Sequence, residues 1–190
     1  KATYQLLPVV IIGHSMGSFI SQHFVENNPN AVAALALSGS DFLPTWFTGA
    51  ASNLACIETR RQGANGRSAL IHSLAFGKFS KAFTPARTEY DWLSRSDAWV
   101  DHYVADKLCG FQMANAYLKT LSQIYTPANL KKIPQSLPVY IFAGTEDPVG
   151  HKGKGVTKLA KMHNKVCKAE VALKLYDQGR HDILHETNAS

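Results

Sequence analysis

Cysteine is scarce in this chain: Cys56, Cys109 and Cys167 are odd in number and far apart. That argues against a disulfide framework and against a zinc knuckle, and it favours a reducing, cytoplasmic compartment. No run of about 18 apolar residues is present to span a bilayer, and there is neither an internal repeat nor a low-complexity tract. Charge is modest at 18% of residues, with hydrophobic residues at 45%, which are globular values. The basic excess, a net charge of +6 with a pI near 9.2, lacks the aromatic interleaving of a single-strand binder. Its lysines between 152 and 174 read as the solvated face of a helix whose Val156, Leu159 and Ala160 turn inward. No nucleic-acid partner is expected. The segment Gly150 to Gly155 has the glycines of a phosphate loop but not its Gly-Lys-Ser/Thr ending.

The informative stretch is 8–24, where the apolar run Val9 to Ile12 leads into Gly13-His14-Ser15-Met16-Gly17 and then into Phe19, Ile20, His23 and Phe24 at helical spacing. A buried strand, a G-x-S-x-G turn and a helix in that order form a nucleophile elbow, in which Ser15 sits exposed on a tight turn between two glycines. The strand 9–12 reads as covered on both faces. A second apolar strand, 139–143, ends in Thr145-Glu146-Asp147-Pro148, and strand carboxyl ends are where a parallel sheet gathers its catalytic groups. Asp147 is the stronger acid candidate, since Pro148 fixes the backbone behind it and Glu146 reads as a solvated neighbour. A third strand, 171–176, exits through Gly179-Arg180-His181, which puts His181 where a general base belongs, with Gly179 permitting the turn. His181 and His185 are also spaced as a metal pair on a helix, but they lack the Glu after the first His and a third ligand nearby.

Taken together, these blocks resemble the α/β-hydrolase superfamily, and within it the monoacylglycerol lipase and lysophospholipase branch, which includes serine aminopeptidase-like hydrolases. Gly-His-Ser-Met-Gly at 13–17, Ala-Gly-Thr-Glu-Asp-Pro-Val at 143–149 and Gly-Arg-His-Asp-Ile-Leu-His-Glu at 179–186 look like that branch's nucleophile, acid and base blocks. Tyr-Asp-Trp-Leu-Ser-Arg at 90–95, Val-Asp-His-Tyr-Val-Ala-Asp at 100–106 and Cys-Gly-Phe at 109–111 are similar to its bacterial members. The resemblance implies an α/β fold with a parallel central sheet and a largely helical cap, and a triad of Ser15, Asp147 and His181. The Met16 N–H would be one oxyanion donor, and His14, Trp46, Phe47 and Phe76 would contact substrate. In one respect the sequence departs from the superfamily, which carries several strands and a His-Gly oxyanion loop before the elbow. Here only fourteen residues precede Ser15. The expectation is an incomplete record of a longer enzyme, with front strands and a second oxyanion donor missing, so that residues 1–190 by themselves fold poorly and are inactive.

Coarsely, the chain reads as a strand at 9–12, a helix at 16–28 stopped by Asn27-Asn28-Pro29, a strand at 32–37, a strand at 139–143, a helix at 153–164 and a strand at 171–176. That divides it into a core segment 1–41 with the elbow, a cap insertion 42–130, and a core segment 131–190 with the acid and base loops. The insertion holds 13 of the 19 aromatic residues, including Trp46, Phe47, Phe76, Trp92 and Tyr125, in under half the chain. Such an excess suits an apolar roof over a site for lipid-like esters. Asn188-Ala-Ser190 matches a glycosylation sequon only formally. The expected activity is a cofactor-free and metal-free serine ester hydrolase acting on monoacylglycerol, lysophospholipid or small esters, with transient contact to a membrane surface. The alternatives are an aminopeptidase that holds a substrate amine with Glu89, Asp91 or Asp101, and a non-catalytic binding or scaffold protein.

Overall fold

The structure, a computed structural model, describes residues 7–124, 127–169 and 171–188. Lys1, Tyr125 and the Ala189-Ser190 end of the sequon lie outside the described residues. Strand β1 (Val10–His14) runs into helix α1 (Met16–Asn27), followed by β2 (Ala34–Ser38) and the helices α2 (Thr45–Gln62), α3 (Ala69–Lys81), α4 (Asp97–Ala105) and α5 (Asn115–Ile124). A 3₁₀ turn at Pro127–Lys132 leads back to β3 (Val139–Gly144), α6 (Lys154–Val166), β4 (Val171–Tyr176) and a last 3₁₀ turn at Ile183–His185. The four strands form one sheet in the order β1-β2-β3-β4 with every pairing parallel. Parallel neighbours need long crossovers, and each crossover here carries helix. All four carboxyl ends therefore open on the same side, which assembles the loops that hold Ser15, Asp147 and His181.

The core lies where the sheet meets α1 and α6. Leu35, Leu37, Val139, Ile141 and Ala143 pack with Val25 and with Val156, Leu159 and Ala160, all nearly inaccessible, and Leu130 and Ile133 join them from the end of the helical insertion. The inward stripe of α6 is the one its spacing predicts, with its lysines outside. Strand β1 differs from expectation: Val10 and Ile12 are 56% and 63% exposed, while Gly13 is buried. Successive side chains of a strand point to opposite faces, and the face of β1 that carries Val10 and Ile12 is uncovered among the described residues. Helix α1 also reverses its expected facing. It buries Ser18, Ser21, Gln22, Val25 and Glu26, whereas Ile20 and Phe24 are exposed.

The cause is close approach. A Cβ on Gly13 would lie 2.5 Å from Ser21 Oγ and 2.6 Å from the Gly17 carbonyl, so α1 sits too tightly on β1 for large side chains between them. Ser18 and Gln22 find partners locally, whereas Glu26 Oε2 and His163 Nδ1 have no hydrogen-bond partner among the described residues. Ser18 Oγ lies 2.6 Å from the Ser15 carbonyl and 2.7 Å from Ser40 Oγ. Gln22 Nε2 donates to the Ser18 carbonyl at 3.1 Å, and Gln22 Oε1 lies 3.2 Å from His163 Nε2. Because an amide oxygen accepts, His163 carries its proton on Nε2. Burial pushes that imidazole down to about 4. Within the insertion, the fully buried Asn115 ties α5 to the earlier helices: its Oδ1 accepts from Ser68 N at 3.1 Å and its Nδ2 donates to the carbonyls of Glu58 and Gly63 at 3.3 and 3.4 Å. No helix among the described residues is long and apolar enough to cross a membrane.

Candidate active site

Ser15 is the single residue between β1 and α1, and it makes the whole turn at φ 50 and ψ −120. A left-handed φ on a non-glycine residue costs about 1–3 kcal/mol and persists only where the surroundings over-determine it. The strand ladder supplies that constraint, since Ser15 N donates to the Ser38 carbonyl at 2.8 Å. Strain at the turn is therefore carried by the serine, and a Cβ on Gly17 would meet nothing within 4 Å, so space does not demand a glycine there. Ser15 is half-buried rather than fully exposed. Met16 is the first residue of α1. Its N–H belongs to the first turn, whose amides have no partner inside a helix.

The acid and base candidates meet at the carboxyl ends of β3 and β4. His181 Nδ1 lies 3.0 Å from Asp147 Oδ1, with both side chains essentially inaccessible. A carboxylate oxygen accepts, so the imidazole donates from Nδ1, and in the neutral ring Nε2 keeps its lone pair. That Nε2 is buried and has no hydrogen-bond partner among the described residues, Ser15 Oγ included. In unliganded sites the nucleophile–base bond is often long and tightens with substrate. The Asp147 oxygen that faces His181 also accepts from Val149 N at 2.9 Å, just after Pro148. Glu146 pairs instead with Lys152 at 2.6 Å on the surface. Asp182 accepts from Trp99 Nε1 at 3.1 Å and lies 2.9 Å from His185 Nδ1. His185, half-exposed, stacks on Trp99 with ring centroids 3.6 Å apart, turned toward the helical insertion.

The base loop takes its shape from close packing. A Cβ on Gly144 would fall 1.8 Å from the Gly179 carbonyl, and the left-handed residue is Gln178 (φ 55) rather than Gly179, which is needed for its lack of a side chain. The insertion segment 91–95 then clamps the loop. His181 N donates to the Trp92 carbonyl at 3.4 Å and Asp182 N to the Leu93 carbonyl at 2.7 Å. Arg180 donates to the Asp91 and Ser94 carbonyls, and Arg95 Nε pairs with Glu186 at 2.8 Å. The Trp92 and His181 rings stand 5.1 Å apart.

The remaining sequence candidates divide. His14 belongs to the cluster, with its ring 4.8 Å from that of His181 and Nδ1 3.1 Å from Ser38 Oγ. Burial first, then the proximity of His181, pushes His14 down to about 4. It stays neutral near pH 7 and adds no charge beside the base. Phe76 reaches His181 through Phe79 and Trp92 in one apolar cluster. Trp46 and Phe47 are exposed by 74% and 46% and pack edge-to-face on each other at the start of α2. Sequence reasoning passed over Trp92, Gly39 and Tyr117 as site residues. A Cβ on Gly39 (φ 54) would lie 2.8 Å from His181 Cε1, and the Tyr117 hydroxyl from α5 meets Met16 Sδ. The residues 90–95 carried a signal in their resemblance to the bacterial branch and Tyr117 one only as a member of the insertion's aromatic excess, but Gly39 had none.

A family model described as serine aminopeptidase, S33, matches residues 1–188. Among curated proteins, none matches the sequence significantly. Among solved structures, the chain is similar to a structure titled a lipase in open form, with 26% identity and TM-score 0.87, covering 99% of this chain and 62% of that one. A thermostable carboxyl esterase from Bacillus coagulans, in complex with glycerol, shares 23% identity at TM-score 0.85, covering 96% of this chain and 60% of that one. A soluble variant of monoglyceride lipase from Saccharomyces cerevisiae, in complex with a substrate analogue, shares 16% identity at TM-score 0.66, covering 96% and 57%. The chain thus spans about three-fifths of the length of these structures.

Proposed function

Because the chain belongs to the serine aminopeptidase S33 family of α/β-hydrolases, related to esterases and lipases, we propose that it is a serine hydrolase cleaving carboxylic esters through an acyl-enzyme. The observation that carries this reading is the buried His181–Asp147 hydrogen bond of 3.0 Å beside an elbow serine held at φ 50. In the reaction, Ser15 Oγ attacks the ester carbonyl while His181 Nε2 takes its proton, and the Nδ1–H bond to Asp147 keeps the ring in the tautomer that leaves Nε2 free. The Met16 N–H stabilises the developing oxyanion. Collapse of the tetrahedral intermediate breaks the C–O bond to the leaving alcohol, which takes the proton from His181. Water, deprotonated by the same imidazole, then releases the acid and restores Ser15.

Monoacylglycerol, lysophospholipid or a small ester is the substrate class this reading favours, and the apolar cluster Phe76, Phe79 and Trp92 leading to His181 supports it. An aminopeptidase is less well supported, since two of the three acidic residues offered for a substrate amine, Asp101 and Asp91, are already engaged, and Glu89 is exposed. Arg87 pairs with Asp101 and Asp97, and Asp91 accepts from Arg87 N and Thr88 Oγ1. The test is labelling of the intact protein with a fluorophosphonate, followed by peptide mapping. The label is expected on Ser15 and absent from Ser15→Ala, whose turnover of p-nitrophenyl butyrate should fall by several orders of magnitude. Labelling that persists in Ser15→Ala would defeat the assignment.

A further inference from the structure

Four residues at and just after the end of β2, Ser38 to Asp41, touch all three loops of the candidate site. The Ser38 carbonyl holds Ser15 N, and its hydroxyl lies 3.1 Å from His14 Nδ1. Gly39 abuts His181, the Ser40 hydroxyl meets Ser18 in α1, and the Ser40 carbonyl packs against Gly150 of the acid loop. Asp41 completes the set with a carboxylate that is only 3% exposed. Its Oδ1 accepts from Phe42 N at 2.8 Å and lies so close over Gly155, in the first turn of α6, that a Cβ there would sit 1.7 Å away. Its Oδ2 lies 3.4 Å from His151 Nε2.

What Asp41 touches is a strained segment. After Asp147, the chain turns into α6 through His151 (φ 52), Lys152 (φ 55) and Gly153 (φ 83), so two non-glycine residues in succession are left-handed. Such a run persists only where surrounding contacts fix it. Each of the two strained side chains is tied to a carboxylate, Lys152 to Glu146 at the surface and His151 to the buried Asp41. The same loop is closed by Lys152 N donating to the Asp147 carbonyl at 2.8 Å and Gly155 N to the Gly150 carbonyl at 2.9 Å. A shift at His151 therefore moves the backbone that presents Asp147.

We propose that Asp41 is a positioning residue for the acid loop, holding His151 and the start of α6 so that Asp147 is aimed at His181 Nδ1. This rests on the reading of Ser15, Asp147 and His181 as a triad, and Asp41 acts through His151 without touching substrate. The groups facing it are His151 and Asp147 from the acid loop, Lys78 from α3 and the Phe42 N–H. Burial pushes the Asp41 carboxyl up to about 6, with His151 and the Phe42 N–H opposing and Asp147 adding to the rise. Below that pH the carboxyl takes a proton and becomes a weaker partner for His151. Loss of the tether then adds a proton to the acid limb of kcat/KM, which steepens beyond one.

The experiment compares wild type, Asp41→Asn and His151→Asn in the intact protein. Turnover of p-nitrophenyl butyrate is read across pH, and the low-field proton resonance of the His181–Asp147 bond is read by NMR. Asn is chosen at 151 because it tolerates a left-handed backbone and the site is exposed, so this variant reads the tether even if Asp41→Asn folds poorly. For both variants kcat is expected to fall at least tenfold with KM within twofold. In Asp41→Asn the acid limb is expected to drop to a one-proton slope, and in both variants the low-field resonance should move upfield or vanish. Normal kcat with an unchanged slope in folded Asp41→Asn, or an unchanged resonance in both variants, overturns the proposal. Wild type that neither labels at Ser15 nor turns over ester defeats the triad reading instead, and the resonance still decides whether Asp41 positions Asp147.

Discussion

Three carboxylates near His181 could be mistaken for its partner, and their surroundings separate them. Asp147 is inaccessible and bonded to Nδ1, Glu146 is spent on Lys152, and Asp182 is held by Trp99 and His185. In Asp147→Asn, turnover of a short ester is expected to fall by about 10⁴, because the amide lets the imidazole settle in the wrong tautomer. Asp182→Asn should stay within an order of magnitude of wild type. Steady-state kinetics on the two purified variants checks this, and the reverse ranking would move the acid to Asp182. At this scale the sequence was legible where a motif named the residue. The Ser15, Asp147 and His181 blocks announce themselves by strand, turn and spacing, whereas the reason Gly13 is glycine, a Ser21 hydroxyl 2.5 Å from any Cβ, exists only once α1 is laid on β1.

Among the elements, the strands and the α6 stripe follow from apolar periodicity, and β4 falls on the expected 171–176. The facing of α1 does not follow from periodicity. Its apolar residues Ile20 and Phe24 look outward, since tight seating at the elbow admits only small or hydrogen-bonded side chains on the inner face. Segment 91–95 of the insertion, expected as part of a cap, makes the backbone bonds that hold the base loop. The insertion and the base loop are coupled there. Trp92 is buried against Phe79 and His181, so Trp92→Ala should cost about 3–5 kcal/mol of stability by leaving a cavity. The activity lost on a short ester should exceed what unfolding explains, as measured by denaturant titration beside kcat at a temperature where the variant is folded. Equal activity per folded molecule would reduce the clamp to a packing role.

Across the whole molecule, buried titratable groups set opposing pH slopes. Burial first raises Glu26 to about 7 and Asp41 to about 6, so the folded state retains protons that the unfolded chain has released. Stability from these groups falls as pH rises from the ordinary carboxyl range through those values. His14 and His163, lowered to about 4, act in the other direction. The unfolded chain takes up protons there first, so stability falls as pH drops from 6.5 toward 4. Glu26→Gln removes one carboxyl while keeping its shape. The variant is expected to match wild type near pH 4 and to be more stable by about 1–3 kcal/mol at pH 8, read by urea denaturation at both values. Equal stability at pH 8 would mean that Glu26 is compensated in the folded state.

Fold and family at this scale were readable from three short blocks, because a parallel sheet makes loop chemistry follow strand ends. The substrate was not readable, since the residues around His181 come from elements far apart in sequence. The most direct test of the central claim is to trap the acyl-enzyme: mix the intact protein with p-nitrophenyl butyrate, quench in acid during turnover and map the modified peptide by mass spectrometry. A butyryl group on Ser15 in wild type, absent in Ser15→Ala, is the expected result. Ester turnover with no acylated Ser15, or acylation at another residue that tracks activity, would contradict the account.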